Sequence, residues 1–192
     1  HAGEEMLRTK YGDSNSYKSS DEINQIRWEN RDAFSPVFDY YQGLIALRKA
    51  HPAFRMATNS EVSKNFEAYI QENNIVAFTL KNYANGDSWK NIVVIYNANN
   101  SEQVVSLPNT ANWNVVVNDT KAGTSVLQTL ENASAVEVAP LSMMVLYDEA
   151  TSYSPEPTII SLEEENIGMA VNTSKLLKVT VKDQNGATLS NQ

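Results

Sequence analysis

Cysteine is absent from this chain of 192 residues. Disulfides, thiolate metal sites and thiol nucleophiles are therefore excluded. Histidine occurs only as His1 and His51, too few for a His-based triad or a multi-histidine metal site. Lys and Arg number 15 against 23 Asp and Glu, a formal net charge of -8. No basic cluster of the kind that grips a phosphate backbone stands out, which argues against nucleic acid as a partner. The acidic balance itself says little beyond solubility. No apolar run approaches the roughly 20 residues that span a bilayer. The lack of cysteine fits an exported protein of the Gram-positive type as well as a cytosolic one.

What is present divides into three parts. Hydrophobic residues make up 42% of the chain, enough for a globular core. The opening run from His1 to Lys10 shows no start methionine and leads into a polar loop and then a single helix. One helix behind a loop cannot close a core. Residues 1–55 therefore read as the tail of a larger domain. The helix is expected from Ser35 to His51, with Ser35 as N-cap and Pro36 at the first helical position. Val37, Tyr40, Tyr41, Leu44, Ile45 and Arg48 recur at helical spacing, with Leu47 widening the stripe. His51-Pro52 stops it, since proline disfavours helix in the residue before it. Gly43 in mid-helix points to close packing on a neighbour.

From about residue 56 to 150 the period changes to two. Phe66–Gln71 and Ile75–Leu80 flank a hairpin turn at Glu72-Asn73-Asn74. Strands follow at Asn91–Tyr96, Glu102–Leu107, Trp113–Val117, Ala135–Val138 and Ser142–Tyr147. Asn85-Gly86-Asp87, Asn97 to Asn100 and Pro108-Asn109 mark turns between them. Short strands at this spacing predict an antiparallel β-sandwich. Beyond Thr151, Ser154-Pro155-Glu156-Pro157 reads as a linker, and Glu163-Glu164-Glu165 as a solvated charge run. Leu176–Val181 reads as a strand and Asp183-Gln184-Asn185-Gly186 as a tight turn. Residues 151–192 are too little for a stable module and read as part of an appended one.

The loop from Glu4 to Trp28 is dense in groups that hold polyols: Arg8, Asp13, Asn15, Ser16, Tyr17, Asp21, Asn24 and Trp28. Sugars offer hydroxyls at their edges and C–H faces to aromatic rings. The same residue types also build turns and internal supports. Glu4 and Glu5 are a tempting pair, but neighbours on a strand point to opposite faces, so neither reads as catalytic. Trp89 and Trp113 could offer a starch platform. The simpler reading puts Trp89 over a sheet edge and Trp113 in the core. Asn85, Asp87 and Asp119 are oxygen ligands in loops, without the spacing of a calcium loop.

Order and spacing add a resemblance. Ala2-Gly3-Glu4-Glu5-Met6-Leu7-Arg8-Thr9-Lys10, then Asn15-Ser16-Tyr17, then Asp21 and Asn24, resemble the end of the catalytic barrel of type I pullulanases. These are debranching enzymes of the alpha-amylase superfamily of glycoside hydrolases. The run Tyr40–Lys49, followed by His51-Pro52-Ala53-Phe54-Arg55, looks like that family's last barrel helix and the exit into its C-terminal sandwich. Gly86-Asp87-Ser88-Trp89 before Ile92–Tyr96, and Pro140-Leu141-Ser142 before the last strand, are similar to that sandwich. The tail is similar only in a general way to bacterial immunoglobulin-like repeats.

The resemblance implies a mainly β fold: an antiparallel β-sandwich preceded by the last strand end, loop and helix of an incomplete (β/α)8 barrel. It implies a parent that hydrolyses alpha-1,6 links in pullulan, amylopectin and branched dextrins by a retaining mechanism. The three carboxylates of that mechanism would lie upstream of His1, leaving no catalytic and no metal-binding residue in this chain, and a chain inactive on its own. It places Asn15 and Tyr17 beside the substrate, with Arg8, Asp21 and Asn24 either near it or as internal supports. It implies an alpha-glucan partner, a barrel packed on the helix 36–51, no cofactor in this chain with calcium allowed for in the parent, and a secreted or cell-surface location. The competing reading is a non-catalytic carbohydrate-binding or surface β-sandwich module. Residues 1–55 discriminate, because such a module has no use for a barrel-exit helix.

Overall fold

In a computed structural model of the chain, residues 2–148, 157–162, 178–183 and 188–189 are described. After a 3-10 turn at Glu4–Met6 and another at Ser16–Lys18 come two short helices, α1 (Asp21–Asn24) and α2 (Asn30–Ala33). The long helix α3 (Ser35–Ala50) and a 3-10 turn at Pro52–Arg55 lead to α4 (Asn59–Asn65). Six strands follow: β1 (Phe66–Glu72), β2 (Ile75–Leu80), β3 (Ile92–Asn97), β4 (Gln103–Val117), β5 (Gln128–Val138) and β6 (Ser142–Asp148). They form one antiparallel sheet in the order β1-β2-β3-β6-β4-β5. In the tail, β7 (Pro157–Leu162), β8 (Val179–Asp183) and β9 (Thr188–Leu189) form a second antiparallel sheet. The residues expected as linker at 154–156, the charge run 163–165 and the turn residues 184–186 lie outside the described residues.

The mainly β, antiparallel expectation is borne out, and the two layers arise from one sheet that folds over itself. β4 is a single strand where two were expected, and Pro108-Asn109 lies inside it rather than at a turn. Proline has no N–H for the ladder. Pairing with β5 accordingly lapses between Ser106 and Ala111, and the strand bends there instead of reversing. The bend carries Val105, Leu107, Val136 and Val138 over β2 and β3, where they share a core with Ile75, Ala77, Val93, Ile95, Trp113 and Leu146. Asn97 at the end of β3 fastens this overlap: its Nδ2 lies 3.0 Å from the Val138 carbonyl and 2.9 Å from that of Ala139. Trp113 is fully buried, as expected.

The hairpin between β1 and β2 is a two-residue turn at Asn73 and Asn74, with φ of 51° and 58°. Both central residues at positive φ make it the turn that matches strand twist, and asparagine tolerates that region. α4 was not expected. Its signal was the capping box Thr58-Asn59-Ser60-Glu61, in which the Thr58 hydroxyl accepts from the Glu61 N–H while the Glu61 carboxylate accepts from the Thr58 N–H.

The other face of the sheet is covered by α3. Leu47, with Tyr40 and Leu44, packs on Ile92, Val94, Val116, Val117 and Val145. A bulge between Val115 and Val117 turns both Val116 and Val117 to this side. Gly43 explains the close approach: a Cβ there would run into the carbonyl of Ala122, in the loop after β4. The expected single apolar stripe of α3 is in fact two faces. Ile45 and Phe34 are exposed on the outer side, while Tyr41, partly exposed, lies on the flank between helix and sheet. Ser35 is the first helical residue rather than the cap; α2 runs straight into α3, so Phe34 takes the cap position and no side chain closes the end.

The end of α3 is locked to the sheet by Asp87, which has no exposed surface. Its Oδ1 accepts from His51 Nδ1 at 2.9 Å and from the Trp89 N–H at 2.9 Å, and its Oδ2 from the Ala53 N–H at 3.0 Å. His51 stacks on Trp89 with centroids 3.4 Å apart, and Trp89 stacks on Tyr147 at 4.0 Å. Both faces of the Trp89 indole are thus occupied. Neither face is left as a platform for starch.

Two stability outcomes follow. Helix propensity alone would make Gly43→Ala stabilising by about 1 kcal/mol. The overlap with Ala122 reverses the sign, and a loss of about 1–3 kcal/mol is expected in urea unfolding, while Gly123→Ala, in open space, stays within about 0.5 kcal/mol. Asp87→Ala removes one carboxylate from three buried donors and should cost about 3–5 kcal/mol in the same assay, with Asp87→Asn milder because one oxygen remains.

Candidate functional site

The N-terminal segment is a loop built around two side chains. Arg8 reaches the carbonyls of Asn24 and, at 3.3 Å, Ala2. Asn24 donates through Nδ2 to the carbonyls of Ser16 and Ser19, both at 2.8 Å, and its Oδ1 accepts from Lys10 Nζ. Asp13 accepts from the Asn15 N–H at 2.9 Å and from the Ser19 hydroxyl. These two donors, the hydroxyl first, hold its carboxyl below the usual carboxylate range. Met6 is buried, and its 3-10 turn packs against α3. The loop is thus pinned at its base to the helix that crosses the sheet.

This sorts the expected site residues. Arg8 and Asn24 are supports, committed to backbone carbonyls. Asp13 caps the turn that presents Asn15. Asn15 is exposed, and Tyr17 is 75% exposed at the crest of the loop. Asp21 stands exposed in the first turn of α1. Trp28 is 70% exposed. Tyr11, which composition did not single out, is 57% exposed with the Arg27 guanidinium 5.7 Å from its ring centroid. The loop therefore offers aromatic faces at Tyr11, Tyr17 and Trp28 and polar groups at Asn15 and Asp21. Such a set can hold a polyol by stacking and by hydrogen bonds, and it holds no activated nucleophile.

Glu4 and Glu5, placed on a strand by the sequence reading, sit in a 3-10 turn instead. Gly3 opens this turn at φ 92°, a conformation open to glycine, and strand pairing is absent there. Asp87, weighed as a cation ligand with Asn85 and Asp119, has both oxygens engaged by His51, Ala53 and Trp89. Among the described residues no group of three His, Cys, Asp or Glu side chains is gathered as for a metal ion, and no helix is long and apolar enough to cross a membrane. The pairing of His51 with Asp87 escaped the sequence reading because 36 residues separate them.

Comparison with known proteins bears on the sheet first. Residues 62–121 match the family described as "Pullulanase, all-beta domain". This match takes in β1 to β4 of the sheet. Over 57% of the chain, the sequence is 40% identical to a pullulanase of Bacillus subtilis (strain 168). The crystal structure of the pullulanase from Bacillus acidopullulyticus superposes with a TM-score of 0.72 at 42% identity, covering 77% of this chain and 18% of that one. The type I pullulanase of Bacillus subtilis str. 168, crystallised with maltose, gives 0.69 at 33% identity, covering 77% and 20%. A share of 77% is more residues than lie from Phe66 to the last one, so these pullulanase matches take in part of the segment before the sheet as well. The chain spans about 15% of the length of the curated relatives it matches.

The division between supports and presented groups is open to test. Asn24→Ala removes the node joining Ser16, Ser19 and Lys10. It should loosen the loop, seen as faster amide hydrogen exchange over residues 14–25 with little change in the sheet. Tyr17→Ala should leave that exchange pattern as it is.

Proposed function

We propose that this chain serves as part of a pullulanase-type glycoside hydrolase, whose whole protein cleaves alpha-1,6 links in pullulan, amylopectin and branched dextrins. The observation that supports this best is the 42% identity and 0.72 TM-score to a pullulanase over 77% of the chain. The retaining chemistry calls for a carboxylate nucleophile and an acid of raised pKa about 5 Å apart. Among the described residues the buried carboxylates, Asp87 and Asp148, are bound to neighbours in the fold. In this reading the catalytic carboxylates belong to another part of the protein. Asn15 and Tyr17 lie along the bound alpha-glucan, Tyr17 by ring stacking. Asp21 takes a hydroxyl, and Arg8 and Asn24 act by holding the loop.

The outward face of α3 fits the same reading. Ile45 is 58% exposed, and Phe34 at the start of the helix is 39% exposed. Apolar surface of a few hundred Å2 is worth several kcal/mol at about 25 cal/mol per Å2. A barrel carrying the catalytic groups would cover it and set the loop beside its own active site. Polymeric glucans are too large to enter a cell unaided, so we place the protein outside, secreted or on the cell surface.

The test compares two purified proteins on pullulan. The whole gene product should release maltotriose, and this chain by itself should release no reducing ends. Within the whole product, Tyr17→Ala should raise KM several-fold with a smaller change in kcat, because stacking is made in ground and transition states alike. Hydrolysis by the isolated chain, or a whole product inert on pullulan, overturns the reading.

A further inference from the structure

Beside α3 runs a groove of about 790 Å3 between the helix and the sheet. Tyr40 and Tyr41 line its helix side, Tyr96 and Met143 its sheet side, and Asp119 and Leu141 lie along its rim. Its size is that of a site for a small ligand. Tyr41 and Tyr96 are each about two-fifths exposed, at 41% and 44%. Tyr40 is tied down, its hydroxyl donating to the Asn118 carbonyl at 2.8 Å. Burial first, then the charge of Asp119 and the neighbouring Tyr96, push the Tyr40 phenol above its ordinary range. Asp119 and Tyr96 line the same groove as this phenol.

We infer that this groove binds a short stretch of alpha-glucan, with the rings of Tyr41 and Tyr96 against sugar faces and the Asp119 carboxylate accepting from sugar hydroxyls. The choice of ligand rests on the proposed function and on the chemistry of the rim. Rigid aromatic rings supply contact area at low entropic cost. Asp119 is an exposed acceptor on the rim. An apolar protein segment laid here would bury that charge without a partner, which is costly. A polyol has a hydroxyl for it. An acidic rim on a chain of net charge -8 also disfavours phosphates and anionic lipid surfaces. The residues are distinct from Asn15, Tyr17 and Asp21 of the N-terminal loop, so the two sites can be separated by substitution.

The experiment is a calorimetric titration of the full chain with maltotetraose, with cellotetraose as the probe of linkage. Saturable binding of maltotetraose in the millimolar range is expected, at least tenfold tighter than cellotetraose. Tyr96→Ala and Asp119→Asn should each weaken it about tenfold or more, while Val104→Thr, an exposed change on β4 outside the groove, leaves it within twofold. Asp119→Asn alters one exposed side chain, so an unchanged Tm guards against misfolding as the cause. No saturation by maltotetraose, equal binding of cellotetraose, or loss with Tyr17→Ala alone overturns the groove. Whether the whole product cleaves pullulan is read separately: inert wild-type product would strike the functional reading, whereas the groove stands or falls on the titration.

Discussion

A single buried carboxylate sets the relation between helix and sheet. Asp87 takes bonds from His51 at the end of α3, from Ala53 just after it and from Trp89 on its own loop. A charge without exposed surface is tolerable only when its oxygens are met by donors of good geometry. Two of the three donors lie at or just after the end of α3, 36 and 34 residues away in the chain, and the third on the carboxylate's own loop. The stack His51–Trp89–Tyr147 extends the same joint to β6. With the end of α3 held there, and its middle pressed on Ala122 at Gly43, the helix has no freedom to roll or slide.

That constraint reaches the N-terminal loop through packing. The 3-10 turn at Glu4–Met6 rests on α3 and α2, and Arg8 and Asn24 tie the rest of the loop to that base. Tyr17 and Asn15 are therefore presented by a scaffold whose ultimate anchor is the sheet, although no strand lies in the loop itself. Sites of this kind gain precision from the rigid element beneath them. α3 serves two surfaces at once, with Tyr40, Leu44 and Leu47 inward and Phe34 and Ile45 outward. A helix apolar on both sides belongs between two layers.

Much of this was legible in sequence wherever the cause is local. Asn73-Asn74 announces its turn because two residues at positive φ are needed and asparagine accepts them. His51-Pro52 stops α3 through a steric clash within one dipeptide. Gly43 signals a near neighbour without saying which. The strands around Phe66, Ile75, Ile92 and Ser142 stand where alternation put them. The loop's composition pointed to polyol chemistry, but it could not separate Tyr17, which is presented, from Asn24, which is consumed by its own loop. That distinction depends on which carbonyls lie within 3 Å. α4 was missed although its capping box lay in plain view at Thr58 and Glu61.

By itself, then, the sequence determined the period of each segment, the places where the chain must turn, and the residue types available to touch a sugar. Those follow from sterics and solvation acting over a few neighbouring residues. Only the tertiary structure decided that Pro108 bends a strand instead of ending it, that both faces of Trp89 are filled, and that Asp87 meets His51. Each depends on groups far apart in the chain arriving at one point. Proline removes a donor wherever it stands, but whether the strand continues is set by Val105 and Trp113 both being drawn into the same core.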